Sequence, residues 1–468
     1  MSRAPLLLCF LACSLVATSP ASAGNPVRDA ILGSAYSSHR GYAVLQRMCD
    51  EGGGRFTGSP SNERGLRILE QELSAVGVRT HREAFTMAGW VRGEDAVDVL
   101  TPELRHLRAI ALGYVEAHPA FEAQLAWAAH GREAELANVR GAVALVTSEP
   151  PKEGEAPLRY EVIARAAAAG ARGVLFINDK PGGSLLAGVS NFLGKPAAVP
   201  GYSITYEEGQ RLRRLLAGGQ PVTVRIATAS HCTQTPSANL VATFPGRRKA
   251  RVVVGGHVDG WDIGQGAVDN GVGSATVFEI ARLLALHAPV NEYTVDCVWF
   301  NGEELGIWGA AAYVKAHAGD SIVAMVNLDM PGRPTGLNVM GHDALLPFAR
   351  EFLAGLPGYA FTDSVMSVPW SNSDHQCFLL EGIPSFTFMG HLEKESVFHY
   401  HDMGDTFDKV DRRALVDASA VAGLLVYDLA NTPSLPLRRK SVEERIESFR
   451  KVGMDARLKR QGQWPFKD

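Results

Sequence analysis

His257-Val258-Asp259-Gly260-Trp261-Asp262 follows directly on the apolar run at 252–254, and Gly266-Ala267-Val268-Asp269-Asn270-Gly271 then opens a segment with helical spacing. An apolar strand that ends in imidazole and carboxylates and leads into a helix is the signature of an α/β sheet, where ligands gather beyond the carboxyl ends of the strands. A single histidine there would mean little. The pattern repeats, however. The strand expected over 293–300 is followed by Gly302-Glu303-Glu304, and the one over 322–328 by Asp329. The apolar segment 383–389 precedes His399-Tyr400-His401-Asp402, with Asp405-Thr406 close behind. Helix caps and solvated loops also place acids at strand ends, but four consecutive strand ends carrying acid or imidazole point to a metal site.

Outward from this core, helices are expected over 272–287, 307–316 and 414–429. The nearly continuous apolar strands require a sheet covered on both faces. Upstream, 142–147, 173–178 and 199–204 read as strands, with helices over 160–169 and through 212–216, forming a compact unit. Helices over 43–49 and 61–76 flank the glycine-rich 52–59. The expected division is therefore 24–116 as the first part of the main domain, 117–232 as an insert, 233–435 as the remainder, and 436–468 as a charged surface extension.

The chemistry explains the choice of side chains. Zinc takes imidazole nitrogen and carboxylate oxygen at about 2 Å, and a hydrolytic site keeps one position open for water. Two ions about 3.5–4 Å apart need a shared carboxylate, and a base that is not itself a ligand must take the proton of the water. Adjacent Glu303 and Glu304 suit that division, because neighbouring side chains of an extended segment point in opposite directions.

Composition excludes other classes. The chain has 468 residues, 46 Lys+Arg against 50 Asp+Glu and a formal charge of -4, with no basic run to follow a phosphate backbone, so nucleic acid is not an expected partner. Residues 1–23 read as a signal peptide: Arg3, the apolar 6–16 and Ala21-Ser22-Ala23 before Gly24. That places the protein outside the cytoplasm, secreted or periplasmic. The apolar part is too short for a membrane anchor, no later segment is expected to span one, and Cys13 offers a lesser alternative as a lipid-attachment site. Cys49, Cys232, Cys297 and Cys377 remain in the mature chain and allow three pairings; Cys297 reads as a buried thiol and Cys377 as the one to test for a bridge.

Three strings together carry a resemblance: 257–269, Asn301-Gly302-Glu303-Glu304 and Asn327-Leu328-Asp329. The chain resembles the co-catalytic zinc exopeptidases, in particular their carboxypeptidase Q and aminopeptidase branches. Arg55-Phe56-Thr57-Gly58-Ser59 and Trp90-Val91-Arg92-Gly93-Glu94 fit the former branch, and 117–232 is similar to its inserted protease-associated domain. The resemblance implies an α/β fold with a mixed central sheet flanked by helices and two Zn2+ per chain. His257 and Asp329 would hold one ion, Glu304 and His401 the other, and Asp269 both. It makes Glu303 the general base and Asp259 the carboxylate that orients His257, and it prefers His401 over His399 for its spacing to Asp405-Thr406. It also implies peptide substrates and a homodimer.

Two positions depart from the pattern. Asn270 stands where relatives often carry a second aspartate. Ser371-Asn372-Ser373-Asp374-His375 resembles the aminopeptidase members, so Ser373, Asp374 and His375 are candidate substrate-binding residues, with a polar turn as the plainer reading. The rivals are a glutaminyl-cyclase-like acyltransferase, which shares the fold, and a non-catalytic receptor-like protein. A serine hydrolase lacks its Gly-x-Ser-x-Gly turn here, and His-Glu-x-x-His is absent. Which peptide end is read stays open.

Overall fold

The structure, a computed structural model, describes residues 25–155, 157–356, 358–363 and 365–467; the expected signal peptide lies outside them. Two mixed sheets organise the chain. The larger has seven strands in the order His81–Val91, His231–Phe244, Tyr293–Phe300, Arg248–His257, Ile322–Asn327, Ser385–His391, Arg333–Asn338. The four strands from Tyr293–Phe300 to Ser385–His391 run parallel, and the flanking pairings are antiparallel.

The apolar strands are buried on both sides for a visible reason. Val252 and Val254 pack with helices Val272–His287 and Arg412–Asn431, whereas Val253 packs with Tyr313 and Phe378 on the opposite face. Alternate residues of one strand thus feed separate cores. Arg412–Asn431 is long and apolar enough to cross a membrane, contrary to the expectation that no such segment follows residue 23. The most apolar part of this helix is 72% buried, however, and it packs as a core helix against Val272–His287.

The second sheet has eight strands, with a parallel core of His118–Trp127, Val143–Thr147, Gly173–Ile177 and Gly201–Ile204. It hangs from a long antiparallel pair, His81–Val91 with His231–Phe244, whose register runs from His81 opposite Val241 to Val91 opposite His231. All the strands between Val91 and His231 among the described residues belong to this sheet. Ala96–Thr101 pairs with Thr223–Thr228, and Ala109–Ala111 with Gly201–Ile204. The strands of the second sheet therefore begin well before residue 117, where the texture of the sequence changes. These early strands are short and irregular, so their partners became visible only in three dimensions.

The C-terminal segment, expected to be a surface extension, is packed. Helices Val442–Lys451 and Met454–Gln461 bury Phe449, Met454 and Leu458 against Met340 and Leu379. Trp464 and Phe466 pack against the same cluster, and such sparse apolar positions among many charges leave no periodic signal. All four cysteines of the described chain are free, including Cys377; Cys297 is buried in the central sheet.

Candidate metal centre

His257 reaches the cleft from the last position of its strand, Glu303, Glu304, Asp329 and His401 from segments that follow the other three parallel strands, and Asp269 joins them from the turn before Val272–His287. Ligand atoms of His257, Asp269 and Asp329 all lie within 4.8 Å of one another, and so do those of Asp269, Glu304 and His401. Asp269 belongs to both groups. Its Oδ1 is 3.3 Å from His257 Nε2, and its Oδ2 is 3.1 Å from His401 Nε2. Asp329 Oδ1 completes the first group at 3.5 Å from His257 Nε2, and Glu304 Oε2 the second at 3.2 Å from His401 Nε2. Glu303 lines the same cleft but belongs to neither group.

Local folding explains these positions. The buried Arg55 guanidinium donates to the carbonyls of Val258 (2.7 Å), Gln265 (2.6 Å) and Gly266 (2.6 Å), tying both ends of the loop after His257 to one planar fork. Asp405 accepts from the N–H groups of Val268 (2.7 Å) and Asp269 (3.0 Å), so the spacing between His401 and Asp405 matters through the backbone of Asp269. Asn270 is fully occupied elsewhere. It donates to Leu328 O at 2.8 Å and accepts from the N–H groups of Gly273 and Met330, each at 3.0 Å. An aspartate there could not make the donation.

Asp259 differs from the expected picture. The main-chain carbonyl of Asp259, not its carboxylate, lies 3.0 Å from His257 Nδ1; the carboxylate is 3.9 Å away. That carboxylate instead accepts from the N–H groups of Gly302 (3.0 Å), Glu303 (3.2 Å) and Glu304 (3.3 Å), and from Thr57 Oγ1 (3.0 Å). Gly302 turns at φ +80, a conformation that favours glycine, and lets the chain fold around this acceptor. Asp259 therefore positions the two glutamates, because three consecutive amides converge on it.

Ser373 and His375 are also placed differently from their candidate role. Both are fully buried and contact Asn327 Nδ2, at 2.8 Å from Ser373 Oγ and 3.1 Å from His375 Nδ1. Burial pushes His375 down to about 4, so it is neutral. Asp374 is buried with neither carboxylate oxygen hydrogen-bonded. From this segment it is Trp370 and Asn372 that line the cleft.

The electrostatics call for cations. Burial pushes Glu303 well above the usual carboxylate range and Glu304 up to about 7, with Asp269 adding to the latter and His401 opposing. Burial alone would lower His401, but Glu304 and Asp269 outweigh it and raise it to about 10. Glu304 Oε1 is buried without a hydrogen-bond partner. Crowded carboxylates, imidazoles held by their far nitrogen or backbone, and an orphaned carboxylate oxygen fit a pair of divalent ions.

The cleft is about 640 Å³. The insert contributes Arg159, Tyr160, Lys180 and Phe192 to its lining, and the C-terminal helix contributes Arg457 and Gln461. Arg460 pairs with Glu161 at 2.9 Å, joining tail to insert. None of these residues stood out in the sequence, since none lies near the ligand strings.

Residues 239–426 match the model of Peptidase family M28, and 113–212 match the PA domain. Carboxypeptidase Q of Bos taurus is 26% identical over 419 residues, spanning 84% of this chain and 86% of that protein. Aminopeptidase YwaD of Bacillus subtilis is 22% identical, over 88% and 89%. Among solved structures, a peptidase M28 precursor from Shewanella amazonensis superposes with a TM-score of 0.76 at 23% identity, over 89% of this chain and 99% of that one. A zinc aminopeptidase from Bacillus subtilis gives 0.68 at 21%, over 84% and 95%.

Proposed function

We propose, from the match of residues 239–426 to Peptidase family M28 and of 113–212 to the PA domain, that the chain is an exported exopeptidase acting on short peptides with two zinc ions and Glu303 as general base. One observation carries this reading: two ligand groups share Asp269, and a carboxylate belonging to neither stands beside them in the same cleft.

His257, Asp329 and Asp269 would hold one ion, and Asp269, Glu304 and His401 the other; bound there, the pair supplies polarisation of the scissile carbonyl and acidification of a water. Glu303 takes the proton released as that water's oxygen bonds to the carbonyl carbon. It then delivers the proton to the peptide nitrogen as the carbon–nitrogen bond breaks. Burial raises the proton affinity of Glu303, whereas neighbouring dications lower it, which brings the group toward the range a neutral-pH base needs. Asp259 keeps Glu303 and Glu304 in place through their amides.

The insert supports a preference for short substrates, because its residues line the same cleft as the candidate ligands and leave less room for a long chain. Export follows from residues 1–23, and a mature N-terminus at Gly24 is the expected mark. The homodimer implied by the resemblance predicts a sedimenting species of twice the chain mass.

The test is hydrolysis of unblocked, N-blocked and C-blocked di- and tripeptides by the purified mature chain, with zinc content measured in parallel. Two zinc ions per chain and metal-dependent cleavage of unblocked peptides are expected. The block that abolishes cleavage identifies the end that is read. Absence of metal-dependent cleavage of every peptide overturns the reading.

A further inference from the structure

Away from the metal centre, the charges lining the cleft are one-sided. Arg159 and Lys180 come from the insert and Arg457 from the C-terminal helix, against a single carboxylate, Asp179. Lys180 Nζ is engaged on the carbonyl of Phe398, and Arg457 is exposed.

Arg159 is different. It is half-buried, and among the described residues only its Nη1 is hydrogen-bonded, to the carbonyls of Ala187 (2.9 Å) and Leu186 (3.5 Å). The segment it grips is itself fastened to the metal centre. Ala187 N–H donates to the carbonyl of His401 at 2.8 Å, and Leu186 is bridged to Asp402. The guanidinium therefore stands two hydrogen bonds from a metal ligand. Gly188 makes room for it: a Cβ at that position would meet Arg159 Nη1 at 2.9 Å. Burial lowers Arg159 to about 10, so it is charged at neutral pH.

A half-buried cation without a contacting carboxylate, in a substrate cleft, is costly unless an anion arrives. We propose that Arg159 binds the free α-carboxylate of the peptide, so that the enzyme reads the C-terminal end of its substrate; this rests on the exopeptidase reading. Two unengaged guanidinium nitrogens offer a planar fork suited to a carboxylate. Outside the metal centre, a free α-ammonium finds no equivalent among the described residues lining the cleft. Asp179, the one carboxylate lining the cleft outside the centre among the described residues, interacts with both Arg159 and Lys180, so the charge there stays net positive.

The test uses binding as well as turnover. Calorimetry on the zinc-loaded Glu303→Gln chain compares a dipeptide with its C-terminal amide, and the comparison is repeated after adding Arg159→Met or Arg159→Lys. The free acid should bind roughly 10- to 100-fold more tightly than the amide, the size expected of a charge-assisted pair. Arg159→Met should remove that difference while leaving amide affinity unchanged, and Arg159→Lys should restore part of it. In turnover, Arg159→Met on the otherwise unaltered enzyme should raise KM for the free acid with little change in kcat. Equal affinity for acid and amide overturns the proposal and leaves the peptidase reading intact. Binding of neither, together with no metal-dependent hydrolysis by the unaltered chain, overturns both.

Discussion

The carboxylate Oδ1 of Asp259 accepts a hydrogen bond from the main-chain N–H of Glu303 at 3.2 Å, and so fixes the proposed base through its backbone rather than its side chain. Two neighbouring amides share the same carboxylate. Asp259→Asn replaces an acceptor-only group with one that presents donors to some of these N–H groups. We expect kcat to fall about 10- to 100-fold, with zinc content retained, because the loop shifts rather than the ligands. Steady-state kinetics beside metal analysis separates the two; loss of zinc with unchanged kcat per bound metal pair would point to the His257 side instead.

Glu303→Gln keeps the shape of the side chain and removes its capacity to take a proton. Turnover should drop by about 10²- to 10⁴-fold while both ions remain bound. A metal-loaded variant that retains turnover removes Glu303 from the mechanism.

Asp269 is the one residue common to both ligand groups. Asp269→Ala should lower zinc content below two per chain and abolish hydrolysis, because both ions lose a ligand. Elemental analysis after dialysis reads this directly, and full occupancy refutes the shared role.

Arg55 satisfies three carbonyls from one buried position. Arg55→Met leaves those acceptors without a partner, at a cost of about 3 kcal/mol or more. The midpoint of urea unfolding should fall accordingly, and zinc should dissociate more readily, since the loop bearing His257 and leading to Asp269 loses its tie. A change within about 0.5 kcal/mol would show that the loop holds itself.

His342 bears on acid stability away from the centre. Burial lowers it to about 4, from about 6.5 for an unfolded chain. Between those values the unfolded state binds the proton and the folded state does not. Stability is therefore undiminished above about pH 6.5 and is lost as pH falls toward 4, by up to about 3 kcal/mol. His342→Gln should flatten that acid limb in denaturant titrations, with the neutral His375 leaving its own share of the slope in place.

The central sheet and the acids and imidazoles near its strand ends were legible in the sequence because each depends on local pattern. Residues 293–300 and 272–287 matched the observed strand and helix bounds, since an unbroken apolar strand and a buried helix each carry their own periodicity. Of the candidate ligands, His257, Glu303, Glu304 and Asp329 were legible for a related reason, since each stands at a strand end or within four residues of one, whereas Asp269 and His401 lie 12 and 10 residues beyond theirs.

What the sequence by itself determined was thus the α/β core and which acids and imidazoles stand at its strand ends. Only the tertiary structure decided that the Asp259 carboxylate gathers three amides, that a C-terminal helix lines the cleft, and that Arg159 faces it from the insert. Those relationships join residues tens to hundreds of positions apart, and hydrogen bonds and burial between such segments leave no periodic trace along the chain.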